Sequence, residues 1–160
     1  MLIIIEGIAM CFILLIYFVI SIANGPEKFT VFYDKKVQDR AIELGYTTKE
    51  KIKKQKIITN IVLYLPCFVL VPLMVYYING AKEFKEIFIQ SSLILNILGL
   101  FDGLFVDKYW VQHTKAWFIP GTEDLMPYIP KQNEIVRWIG TIVGFTIMGL
   151  IIALVMSMII

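Results

Sequence analysis

Acidic side chains, hydroxyls and the single histidine of this chain come together in one stretch of sequence. Asp102 lies inside an apolar segment, and Asp107 follows five residues later. A carboxylate inside a bilayer costs several kcal/mol unless it is paired, hydrated or protonated, so Asp102 is a candidate ion or substrate ligand, or a proton acceptor. The other candidates are His113, Thr122, Glu123 and Asp124, with Asn96 and Gly121 in supporting positions.

The spacing of the two aspartates limits what they can do together. On a straight α-helix, five residues turn through ~140° and rise ~7.5 Å. Asp102 and Asp107 therefore cannot share a metal ion unless the helix breaks, for example after Gly103. No established metal-ligand spacing is matched. The cofactor is unknown from sequence, and a divalent cation remains open.

Each candidate also has a structural explanation. Asp102 is equally well explained as a structural carboxylate that pairs with Lys108 or Arg137. We expect its side chain to point into the bundle, toward Thr122, Lys108 or the backbone N–H groups at 122–124. His113 is more typical of a histidine at the membrane interface. Thr122 is a favourable helix N-cap, and the acids after it suit a first helical turn.

Four apolar segments must position these residues. They cover about 2–23, 57–78, 87–106 and 135–160, and each reaches the roughly 20 residues that a membrane helix needs. Hydrophobic residues make up 58% of the chain, which is more than a soluble domain carries. The sequence predicts an all-α integral membrane protein, a single domain over 1–160 with four transmembrane helices and loops at 24–56 and 107–134.

The basic residues predict an orientation. Thirteen of the fifteen Lys and Arg residues belong to the first and third connections, and only Lys82 and Lys85 belong to the second. The positive-inside rule predicts that the first and third connections are cytoplasmic and that both termini lie outside. Anionic lipid is the expected partner of the basic stretch formed by Lys51, Lys53, Lys54 and Lys56. No nucleic-acid partner is predicted.

The first loop carries two helical patterns. Residues 34–44 predict an amphipathic helix closed by Gly45, with an apolar face able to lie on the membrane surface. That face consists of Val37, Ala41 and Leu44. Thr47 and Glu50 match a capping box. A basic helix over 49–56 is expected to start there and to run directly into the second span.

Small residues form stripes in the last two spans. They are Ser92, Asn96, Gly99 and Gly103 in span three, and Gly140, Gly144, Gly149, Ala153 and Ser157 in span four. Such stripes let helices approach closely. We expect them to face each other, or to bind a second copy or another membrane protein through Gly99, Gly103, Gly140 and Gly144.

Two further features concern the membrane interfaces. Trp110, Trp117, Tyr128 and Trp138 predict an aromatic belt at the cytoplasmic surface. Glu6, near the outer end of span one, is expected to snorkel outward rather than to line an outer vestibule.

One motif resembles a known family. Asp102 and Asp107, followed by the sequence Ile-Pro-Gly-Thr-Glu-Asp at 119–124, resemble small bacterial four-span membrane proteins, and the stretch 37–45 is similar as well. The resemblance covers most of the chain in layout. It implies a location in the bacterial plasma membrane and singles out Asp102, Asp107, Gly121, Thr122 and Glu123. It implies no activity.

Three functions remain open from sequence. The first is a small transport or ion-binding protein with Asp102 on the pathway. The second is a membrane enzyme that acts on a lipid or lipid-linked substrate, with Asp102, Asp107 and Glu123 as acid, base or metal ligands. The third is an accessory subunit of another membrane protein. No nucleophile–base pair or phosphate loop is present, which disfavours the enzyme, and we rank transport or ion binding first.

Overall fold

The computed structural model describes residues 1–129 and 131–159, without the side chains of 131–134. Its α-helices in chain order are α1 (Leu2–Ile22), α2 (Lys35–Glu43), α3 (Lys49–Leu73), α4 (Phe84–Phe101) and α5 (Lys131–Ile159). α3 continues as a π-helical turn, Met74–Ile78, and α4 as a longer π-helical segment, Asp102–Val111. Short 3₁₀ turns make up much of the connections, and the described residues contain no strand.

Four helical segments are long and apolar enough to cross a membrane. They are Leu2–Ile22, Lys49–Ile78, Phe84–Val111 and Ile135–Ile159. The predicted all-helical architecture with four candidate spans is confirmed. The third segment is longer than the predicted 87–106, so residues 107–111 are helical and do not belong to a connection. Ile160, the predicted end of the fourth span, lies outside the described residues.

The two ends of the bundle differ in the size of their connections. We call the end that carries the connections 23–48 and 112–129 the loop side. The opposite end, with the short connection 79–83, is the hairpin side. Arg40 joins the two large connections, because its guanidinium contacts both carboxylate oxygens of Asp124 at 3.1 Å and the carbonyl oxygen of Gly121 at 3.1 Å. The loop side is therefore one packed unit.

α4 is the central helix of the bundle. It packs along α5 and against α1. Its apolar side chains Ile87, Ile94 and Leu95 are fully buried, as expected of a helix covered on several faces. A Cβ atom added to Gly7 of α1 would lie 2.7 Å from the Ile97 side chain. The absence of a side chain at Gly7 therefore lets α1 and α4 approach this closely.

The predicted small-residue stripes divide into two groups. A Cβ atom on Gly99 would lie 2.7 Å from both Phe145 and Thr141 of α5, so Gly99 packs within the chain. A Cβ atom on Gly149 would likewise lie 2.9 Å from the backbone nitrogen of Ser92. Gly140 and Gly144 have no such neighbour within 4 Å. Only part of the α5 stripe therefore faces α4.

The loop side has its own core, built largely from aromatic rings. Phe18, Tyr33, Trp117 and Tyr128 are buried together with Val37 and Val106. Trp117 makes edge-to-face contacts with Phe18 and Trp110, at ring-centroid distances of 5.7 and 5.4 Å. The predicted aromatic belt is therefore wrong for Trp117 and Tyr128, because these rings bury their surface inside the protein instead of at its lipid boundary.

The first connection follows the predicted pattern with two differences. The predicted helix over 34–44 is present as α2, and Gly45 ends it with φ at 77°. Most of its apolar face packs inside the protein and not on the membrane surface, because Val37 and Ala41 are buried, while Leu44 at the end of the face is 44% exposed. α3 begins at Lys49, as predicted, but its cap is one residue later than the predicted Thr47, because the hydroxyl of Thr48 accepts the Lys51 N–H at 3.2 Å.

Candidate functional site

The π-helical winding of Asp102–Val111 brings the two aspartates to one side of the helix. In a π-helix the N–H of residue i+5 bonds to the carbonyl of residue i, so residues five apart stand about one turn from each other. Asp102 and Asp107 have this spacing and line the same two cavities. The two carboxylates are therefore not separated by the ~140° that a straight α-helix would impose, and they can act on the same ligand.

The larger cavity lies on the loop side and has a volume of about 180 Å³. Three carboxyl groups line it, from Asp34, Asp102 and Asp107, together with the guanidinium of Arg137. The remaining walls are mainly aromatic and include Phe18, Phe32, Tyr33, Trp117 and Tyr128. A volume of this size holds a small organic molecule or a few waters. The cavity combines acidic groups with aromatic rings in a largely enclosed space.

The cavity lining contains three acidic side chains and one basic side chain among the described residues. Arg137 Nη2 lies 3.5 Å from Asp107 Oδ2, which makes Asp107 the acid with a nearby counter-charge. The fixed charges remain predominantly acidic, because Arg137 is the one basic side chain among the described residues that line the cavity. A positively charged ligand is the type of molecule that such a lining attracts.

Hydrogen bonds hold the aromatic walls in place. The Tyr33 hydroxyl donates to the carbonyl oxygen of Trp117 at 2.6 Å. Burial raises the pKa of Tyr33, with further contributions from Tyr128 and Glu27, so this phenol stays a donor. The Trp117 indole N–H is buried and has no hydrogen-bond partner among the described residues. It is available to a bound polar group.

A smaller cavity of about 20 Å³ extends the site into the middle of α4 and α5. Asn96, Asp102, Asp107 and Arg137 are among the residues that line it. The volume corresponds to about one water molecule. Asn96 donates to the carbonyl oxygen of Ser92 at 2.8 Å, and its own Oδ1 is buried without a partner among the described residues. Polar groups therefore continue from the larger cavity toward the centre of the bundle.

The other predicted site residues lie outside both cavities. His113 is exposed, bonds the carbonyl oxygen of Lys108 at 2.8 Å and stacks on Tyr109. Thr122 is fully buried, and its hydroxyl lies 2.8 Å from the carbonyl oxygen of Ile119 and 2.7 Å from the hydroxyl of Tyr128. Thr122 thus positions a cavity wall, and its hydroxyl is bonded there instead of to Asp102.

The acidic pair after Thr122 stabilises the third connection. Glu123 is exposed, and its Oε1 accepts the Gly121 N–H at 3.1 Å. Asp124 is paired with Arg40. Gly121 has φ at 82°, and a Cβ atom there would lie 2.8 Å from the Leu44 side chain, so this position requires glycine. These residues shape the loop side but lie apart from the acids of the cavity.

Sequence reasoning missed several contributors. Asp34 and the rings of Phe18, Phe32 and Tyr33 come from parts of the chain at least 68 positions before Asp102, and only tertiary packing joins them. The available signal was the density of aromatic residues at 29–33 and 109–118. Of the Phe, Tyr and Trp residues in these two stretches, only Trp110 and Trp117 were part of a prediction, and that prediction was an aromatic belt at the membrane interface rather than a cavity wall.

Glu6 occupies a second polar position, toward the hairpin side. It is only 5% exposed, so the prediction that it snorkels outward is wrong. Its Oε2 accepts a hydrogen bond from Asn79 Nδ2 at 2.9 Å, while Glu6 Oε1 and Asn79 Oδ1 have no partner among the described residues. The carboxylate faces the protein because Asn79, at the end of the second span, offers it a donor.

A metal centre has no geometric support in the part of the chain that the structure describes, since no three His, Cys, Asp or Glu side chains there come close enough to hold an ion. Asp102 and Asp107 form a pair only. Comparison with known proteins adds no further assignment: no family model, no curated protein and no solved structure matches this chain.

Proposed function

We propose that this chain is a small multi-pass membrane protein that binds a small organic cation in the loop-side cavity and carries it across the membrane. The supporting observation is an acidic cavity with aromatic walls at the end of the third candidate span. In this proposal Asp102 is the principal ligand, and Asp107 shares its charge between the ligand and Arg137.

The chemistry of the lining favours an organic cation over a bare metal ion. Aromatic faces attract ammonium groups through the negative charge of the ring face, and the attraction is stronger when the cation is desolvated. Carboxylates supply the matching charge. A bare Ca²⁺ ion, in contrast, takes six to eight oxygen ligands, and no three His, Cys, Asp or Glu side chains of the described residues come close enough to hold a metal ion.

The smaller cavity supports transport over binding alone. It extends polar surface from Asp102 to Asn96, in the middle of α4. A polar side chain at membrane depth is costly and is typical of a substrate or ion pathway. The unpartnered oxygen of Asn96 carries a partial negative charge and would offer a passing cation its next polar contact.

The proposed location is the bacterial plasma membrane, with both termini outside. The distribution of Lys and Arg supports this orientation. In that arrangement the loop side and its cavity are cytoplasmic.

Choline and its uncharged carbon isostere 3,3-dimethylbutanol test the charge requirement. Calorimetric titration of the purified protein in neutral detergent should give choline at least about tenfold higher affinity than the isostere, because only choline has the charge that the rings and acids recognise. Asp102→Asn should weaken choline binding by about tenfold or more. The matched variant Asp39→Asn changes an acid on α2 that does not line the cavity, and it should leave binding unchanged.

The same proteins reconstituted in vesicles test transport. Wild-type protein and Asp39→Asn should take up labelled choline, and Asp102→Asn should not. Equal affinity for choline and the isostere, or unchanged binding by Asp102→Asn, would contradict the proposed ligand. Binding without uptake would restrict the function to binding.

Gly140 and Gly144 favour a second candidate function, that of an accessory or self-associating subunit. Neither glycine packs against another described part of the chain, although small residues in membrane helices commonly serve close helix contacts. Native mass spectrometry from detergent would test this candidate. A dimer that dissociates in Gly144→Leu would support it, and a monomer for both proteins would contradict self-association.

A further inference from the structure

A cationic concavity lies on the loop side, between α2 and the first turns of α3. Four lysines line it: Lys35 from α2, and Lys49, Lys53 and Lys56 from α3. The three lysines of α3 have the spacing i, i+4, i+7, which puts them on one face of the helix. Lys51 and Lys54, which the sequence also assigned to lipid contact, do not line the concavity.

The charge of this concavity is not balanced within the protein. None of the four lysines has an ion-pair partner among the described residues, where the only ion-paired bases are Arg40 and Arg137. Two acids, Asp39 and Glu43, share the lining, and Glu43 is already 3.6 Å from Arg40. Like charges at i, i+4 spacing repel each other. A bound anion would relieve that repulsion.

The lysine face leads directly onto the surface of a candidate membrane span. Continuing in steps of four from Lys56, the next residues on this face are Asn60 and Tyr64, and both are exposed. The neighbouring Ile57 and Ile61 are 55% and 56% exposed, although they are apolar. An anion at the lysines would thus have apolar protein surface immediately beside it.

We propose that the concavity between α2 and α3 binds the phosphate headgroup of an acidic glycerophospholipid, whose acyl chains lie along Ile57 and Ile61. Lys49, Lys53 and Lys56 hold the phosphate, and Lys35 closes the site from α2. The apolar surface next to the lysines favours a lipid over a free phosphate. This inference does not depend on the cation-binding function proposed above.

Native mass spectrometry with phosphatidylglycerol and phosphatidylcholine tests the site. Wild-type protein should bind phosphatidylglycerol at least about tenfold more tightly, because juxtamembrane lysines attract anionic headgroups. The triple variant Lys49→Gln/Lys53→Gln/Lys56→Gln should lose at least about tenfold in that affinity. The matched triple Lys36→Gln/Lys51→Gln/Lys54→Gln removes the same charge from exposed lysines outside the concavity and should lose less than about threefold.

The outcomes separate a site from diffuse attraction and a lipid from a free anion. Equal losses in the two triple variants would overturn the proposal, because they would indicate attraction by net charge alone. Displacement of phosphatidylglycerol by an equal concentration of inorganic phosphate or glycerol 3-phosphate would also overturn it, by identifying a site for free phosphate. Circular dichroism would verify the fold of each variant, and all six substituted lysines are exposed.

Discussion

Asp102 and Asp107 stand about one π-helical turn apart and line the same acidic cavity. In α-helical winding, the ~140° between them would direct one carboxylate away from the cavity. The wider winding lets both acids reach the polar interior, where Arg137 lies 3.5 Å from Asp107. Both carboxylates thereby face the polar cavity, whereas a lipid-facing acid would cost several kcal/mol.

Arg137→Gln should strengthen binding of choline by about tenfold. The substitution removes the one basic side chain of the described cavity lining, so a bound cation no longer meets a like charge and no longer competes for Asp107. Because Arg137 is half exposed, the lost ion pair should lower the free energy of unfolding by less than about 1 kcal/mol. Calorimetric titration and thermal unfolding measure the two effects.

Lys108→Gln is the control for this prediction. Lys108 is exposed and does not line the cavity, although it belongs to the same π-helical segment. Its removal should leave choline affinity within about twofold of wild type. Equal gains in affinity for the two variants would indicate a general effect of net charge, and weaker binding by Arg137→Gln would mean that Arg137 itself contacts the ligand.

The candidate spans could be predicted because the bilayer thickness fixes the length of an apolar helix. The exact ends of these helices could not be predicted, because hydropathy does not show where the backbone hydrogen bonding of a helix stops. Phe84–Glu86 and Asp107–Val111 are partly polar but continue the helix of the third span. α3 begins at the predicted Lys49, but its cap differed by one residue, since either Thr47 or Thr48 could serve and tertiary packing buries Thr47.

The acid at the centre of the candidate site was predictable, and its surroundings were not. Asp102 was recognisable because a charged group is rare inside an apolar segment. Its relation to Asp107 depends on π-helical winding, which a 3.6-residue period does not reveal. His113 and Glu123 are near Asp102 in sequence but outside the cavity, whereas Tyr33 is distant in sequence and lines it. Proximity along the chain was therefore a poor guide.

Substitutions at Glu6 should separate its hydrogen bonding from its charge. Glu6→Gln keeps an oxygen that accepts from Asn79 Nδ2 and adds an N–H₂ group that can donate to the unpartnered Asn79 Oδ1, so thermal stability should be retained or increased. Glu6→Leu leaves the Asn79 amide buried without an acceptor and should lower the free energy of unfolding by about 1–3 kcal/mol. A Gln variant as unstable as the Leu variant would show that the negative charge is essential.

Gly99→Leu and Gly144→Leu should differ strongly in stability. A side chain at Gly99 would collide with Phe145 and Thr141, because even a Cβ atom would lie 2.7 Å from them, and overpacking of this kind costs about 1–3 kcal/mol or more. Gly144 has open space at the same position, so its leucine variant should unfold at the wild-type temperature if the protein is a monomer. Equal destabilisation of the two variants would indicate that a second helix covers Gly144.

Cysteine labelling of intact cells should determine which side of the membrane the cavity faces. Lys82→Cys lies on the hairpin side and should react with a membrane-impermeant maleimide, whereas Lys51→Cys on the loop side should react only after permeabilisation, because the positive-inside rule predicts a cytoplasmic loop side. Both positions are exposed, so a difference between them reports sidedness and not burial. The native Cys11 and Cys67 are buried and should give little background. The reverse pattern would turn the cavity toward the outside, and choline would then enter its proposed site from the external solution.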